Sequence, residues 1–139
     1  MSEDPAGCCG VTHGCVFAKA LLSRAAGCQW AGRRQAGEAT AIDCHSHTAQ
    51  ADCAAFAATL SASARFALRL PPVGRPMLHA QALRLQCGGI AALRAHLEAP
   101  EADVHTLVAR ARPWDALPWP ALVRALAAWQ PRRRARPDP

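Results

Sequence analysis

The chain of 139 residues has no tyrosine, only three phenylalanines and a single lysine, Lys19. No apolar run approaches the roughly 18 residues that a bilayer-crossing helix requires, which excludes a spanning protein and predicts no membrane partner. The opening MSEDPAGCCG has no basic region followed by an apolar stretch, so export is not indicated. The expected location is cytoplasmic, where thiols stay reduced, and a secreted disulfide scaffold is excluded. There is no C-x-x-C pair and no glycine-rich loop followed by Lys-Ser/Thr to cradle a phosphate. The ten acidic residues are dispersed and offer no paired carboxylates, so an enzyme is not expected.

What is present is alanine: 33 residues of a chain that is 51% hydrophobic and 19% charged. Alanine favours helix and buries little area, so the composition predicts a thin helical core. The length suits one domain. The fold expected is mainly α, a small domain of about five helices over residues 15–130 with a short β-hairpin near residues 28–44. Residues 1–14 are small, aperiodic and expected to be disordered. Residues 131–139 form a basic disordered tail, in which Arg132, Arg133, Arg134 and Arg136 supply four of the six net positive charges. Proline-flanked cations without interleaved aromatics predict weak, non-specific polyanion binding.

Along the chain, VFAKALLSRAA predicts a first helix over about 16–26, ended by Gly27. CQWAGRRQAGEATAIDC predicts the hairpin. Pairing centred on Ala36 would set Cys28 opposite Cys44 and Trp30 opposite Ile42, with a thiol at each open end. Ser46 or Thr48 would cap a helix from Ala49 to about Leu68, burying Cys53, Phe56, Leu60 and Ala64 and stopped by Pro71-Pro72. A further helical pattern runs from Met77 to about Leu97, where Gly88-Gly89 marks either a break or a notch for close contact. Asp103 would cap a short helix, and Pro120 suits the first turn of the last one.

The seven cysteines include the adjacent Cys8-Cys9, which fall in the expected tail, and the spacing Cys15-x12-Cys28-x15-Cys44-x8-Cys53-x33-Cys87. Thiolates are soft donors that suit zinc and iron–sulfur centres. If residues 15–28 were one continuous helix, Cys15 and Cys28 would stand roughly 20 Å apart. The predicted ligands are therefore Cys28, Cys44, Cys53 and Cys87, with Cys15 in reserve, around an iron–sulfur cluster or zinc. Cys87 enters the set because its neighbouring glycines would let backbone approach a bulky inorganic centre. Ordinary core packing is the competing account of Cys53 and Cys87. His45 and His47 flank Cys44 in CHSH and would offer nitrogen donors for zinc.

The role expected is structural, electron-carrying or sensory. The alternative is a helical adaptor without metal, docking an unidentified protein through the tryptophan-rich C-terminal helix, since Trp114, Trp119 and Trp129 fall close together and Trp is enriched at binding hot spots. Core closure is the simpler use of the same three side chains.

CVFAKALLSRAAGC, LQCGGIAAL and LPWPALVRALAAWQPRRR together resemble a family of small bacterial proteins with several dispersed cysteines. The resemblance spans residues 15–134 and implies a stand-alone domain. It brings no activity, ligand or site residue with it.

Overall fold

The computed structural model describes residues 13–131; the expected tails over 1–12 and 132–139 lie outside the described residues. The described residues form five helices and a three-stranded antiparallel sheet. The strands are β1 (His13–Gly14), β2 (Ala31–Ala36) and β3 (Ala39–Cys44), in the order β1-β3-β2. The helices are α1 (Ala18–Leu22), α2 (His47–Leu68), α3, α4 (Val104–Arg110) and α5 (Trp119–Ala128). Helix α3 runs from the α-helical His79–Leu83 through a π-helical turn, Arg84–Gly88, into the α-helical Gly89–Leu97.

The mainly helical fold with a short hairpin is the one the sequence predicts, but three local expectations need correcting. First, α1 is five residues long and stops well short of Gly27. Arg24 takes a positive φ of 63°, and the Ala25 N–H reaches back to the Ala20 carbonyl at 3.0 Å. This left-handed closure satisfies helix-end carbonyls and turns the chain before Cys28. Second, the hairpin turns on the two-residue loop Gly37-Glu38, with Gly37 at φ +64°. A two-residue loop places one odd-numbered and one even-numbered residue opposite each other. Cys44 therefore faces Ala31 rather than Cys28, and Ile42 faces Arg33 rather than Trp30. Third, residues 13–14 are not part of a structureless segment: His13 pairs with Cys44 and Gly14 with Asp43.

Helix α2 follows its apolar period. Ser46 caps it by accepting the Ala49 N–H at 3.1 Å, and Ala49, Cys53, Phe56, Leu60, Ala64 and Leu68 are buried along one stripe. The chain leaves the helix through Arg69 in the left-handed conformation, two residues before Pro71. The glycine pair in α3 serves helix packing. A Cβ on Gly88 would lie 3.0 Å from the Leu126 carbonyl oxygen and from Trp129 Cβ; one on Gly89 would lie 2.9 Å from Leu60 Cδ2. The approach is by α5 and Leu60, not by an inorganic centre.

The aromatic residues compensate for the small alanines. Phe56 lies 6.5 Å from Phe17, 5.5 Å from Trp114 in an edge-on arrangement and 6.2 Å from Trp119. Each of these tryptophans satisfies its indole N–H, Trp114 on the Val108 carbonyl and Trp119 on the Trp114 carbonyl, both at 2.9 Å. Trp114, Trp119 and Trp129 are half-buried and pack against the core. Their apolar faces are thus largely spent inside the domain.

Candidate metal centre

One end of the sheet gathers thiols. Cys44 ends the central strand β3. Cys15 directly follows β1, and its N–H bonds to the Ile42 carbonyl at 2.9 Å. Cys28 precedes β2 and is tied to it by the Ala31 N–H on its carbonyl at 3.1 Å. Cys53 comes from the buried stripe of α2, which packs on β1 and β3. Three strand ends and one helix each deliver one sulfur.

Neighbouring sulfurs act on Cys15 and Cys53. Burial pushes the Cys15 thiol up to about 11, against a hydrogen bond from the Phe17 N–H, and the charges of Cys28 and Cys44 push the same way as burial. Burial pushes Cys53 up to about 12, reinforced by Cys28, Cys15, Cys44 and then Asp52. Cys28 is also raised by burial, opposed by backbone N–H donors from Trp30 and His105. Cys44 is buried, and its thiol donates to the Ser46 carbonyl at 3.3 Å. Burial, reinforced by the charges of neighbouring sulfurs, favours the protonated form of Cys15 and Cys53 until a cation compensates them.

Helix α4 closes the open side. The Val104 N–H bonds to the Gly27 carbonyl at 3.0 Å. Asp103 caps α4 through Thr106 N–H at 3.2 Å and accepts the Gln29 N–H at 2.8 Å. Asp52 bridges His105 Nε2 at 3.1 Å and Arg112 at 2.7 Å. Burial works to raise the Asp52 pKa, but those two partners outweigh it and hold the carboxylate below its usual range. Asp103, which caps α4, and His105 within it thus lie beside Cys28, a placement that sequence spacing does not reveal.

Of the predicted ligands, Cys28 and Cys44 lie near enough to Cys53 for their charges to bear on it, and Cys15 does the same. Cys87 lies elsewhere, almost fully buried in the π turn with its Sγ 3.4 Å from Ser23 Oγ. His47 pairs with His13, nitrogen to nitrogen at 2.9 Å, on an exposed surface. His45 lies across Gly32, where a Cβ would come within 2.2 Å of its Nε2. Among the described residues, no group of three or more His, Cys, Asp or Glu is placed so that it could hold a metal ion as the side chains stand.

Comparison of the chain with known protein families, with curated proteins and with solved structures finds no match.

Proposed function

We propose that this chain is a small metal-binding protein in which Cys15, Cys28, Cys44 and Cys53 ligate an iron–sulfur cluster or zinc, with a structural, electron-carrying or sensory role rather than a catalytic one. What supports this reading is that sulfurs from four separate segments beside one end of the sheet lie near enough for the charges of Cys28 and Cys44 to bear on both Cys15 and Cys53. An all-sulfur donor set suits soft or borderline metals and iron–sulfur clusters. Binding would draw the side chains inward and release their protons.

Anaerobic purification followed by iron, sulfide and zinc analysis and visible absorption tests the reading. Stoichiometric metal is expected in the wild-type chain and in Cys87→Ser, and loss of it in Cys15→Ser. Less than about 0.2 equivalents of both iron and zinc in the wild type would overturn it.

A further inference from the structure

Between Asp52 and Glu98 the chain carries five arginines and no acidic residue. Near the middle of that stretch lies the connector from α2 to α3. It and the helix ends beside it display the most exposed large apolar side chains among the described residues: Phe66 at 97%, Val73 at 89% and Leu78 at 70%. Arg69 and Arg75 are exposed between them. The tip is held in shape by its own hydrogen bonds. Gln81 Nε2 donates to the Arg69 carbonyl at 2.9 Å, the Arg75 N–H bonds to the Pro72 carbonyl at 3.1 Å, and the Arg65 guanidinium holds the Pro71 carbonyl. On the neighbouring α1, Lys19 Nζ meets His79 Nδ1 at 3.0 Å and adds a further cation beside the tip.

We propose that this tip, built from Phe66, Val73, Leu78, Arg69 and Arg75, is a docking surface for an anionic phospholipid bilayer. Apolar side chains that project singly from a cationic connector match an interface where acyl chains lie beneath phosphates. Pro71, Pro72 and Pro76 have no N–H, so the connector exposes fewer backbone donors that would lose water on insertion. A nucleic acid would use the arginines but leave aliphatic Val73 and Leu78 without a role, and Phe66 alone makes a poor stacking platform. No helix among the described residues is long and apolar enough to cross a membrane. The contact is adherence to a surface, and it departs from the expectation of no membrane partner, which rested on the lack of a spanning run.

The full chain is mixed with phosphatidylcholine vesicles, with or without about one third phosphatidylglycerol, at about 0.1 M salt and sedimented. Binding is expected only to the anionic vesicles, weakening as salt is raised. The double variant Phe66→Ser/Val73→Ser alters two exposed positions and keeps every cation, including those of the C-terminal tail. It should bind at least about tenfold more weakly, with an unchanged far-UV circular dichroism spectrum. Equal binding by that variant would overturn the proposal, as would retention on heparin or single-stranded DNA without any vesicle binding.

Discussion

Cys15 and Cys28 are thirteen positions apart in the chain, yet Cys15 lies within reach of the Cys28 charge. A continuous helix between them would hold them roughly 20 Å apart. Arg24 prevents that by adopting a left-handed conformation, which ends α1 after a turn and a half and sends the chain back toward the sheet. The thiol group depends on this reversal as much as on the cysteines themselves.

The same reversal predicts how substitutions divide. Serine at position 15, 28, 44 or 53 should each lower bound metal severalfold or more, because removing one soft ligand exposes the centre to water and to loss. Serine at 87 should retain the wild-type metal content while lowering thermal stability modestly, since Cys87 is packed against Ser23 away from the sheet end. Metal analysis beside a thermal melt separates the two effects. Metal lost in Cys87→Ser and kept in Cys15→Ser would reverse the assignment.

Metal-free, reduced protein should lose stability as pH rises above about 9. Cys15 is pushed up to about 11 and Cys53 to about 12, mainly by burial. In the unfolded chain the same thiols ionise near pH 8.5–9. The unfolded state thus sheds protons first, so the contribution of the neutral thiols is complete below that range and is lost through pH 11–12. Melting temperatures between pH 7 and 10 should fall more steeply for the wild type than for Cys53→Ser. Metal affinity has the opposite slope, since binding expels the protons, and should rise from pH 6 to 8.

Gly88→Ala should destabilise by about 1–3 kcal/mol, because its Cβ would press on the Leu126 carbonyl, which belongs to a packed helix backbone. Gly89→Ala meets only the end of the Leu60 side chain. Relief of helix entropy by about 0.5–1 kcal/mol offsets part of that contact, so its cost should be smaller. Urea denaturation of the two variants checks the order.

Glu98→Gly should stabilise. Glu98 ends α3 at φ 53°, with the Ala99 N–H on the Arg94 carbonyl at 2.9 Å. The left-handed conformation costs a residue with a Cβ about 1–2 kcal/mol, and added unfolded-state freedom returns about 0.5–1. A net gain of about 0.5–1 kcal/mol should appear as a higher melting temperature, whereas Glu98→Ala should gain nothing.

The sequence by itself determined the parts of this protein that rest on neighbours along the chain. The α2 stripe from Cys53 to Ala64, the caps at Ser46 and Asp103 and the proline in the first turn of α5 all follow from a period of 3.6 and from local side-chain to backbone bonds. The sequence grouped Cys28 with Cys44 through a hairpin register that the structure does not keep, since Cys44 faces Ala31. Tertiary structure decided the rest. The hairpin register turned on where one positive φ was placed, and a shift of a single residue in a loop reassigns every facing pair. The choice between Cys15 and Cys87 depended on where α1 ends and on what the Gly88-Gly89 notch receives. Both are settled by packing between segments far apart in the chain, α1 against the sheet and α3 against α5, for which spacing along the sequence carries no signal.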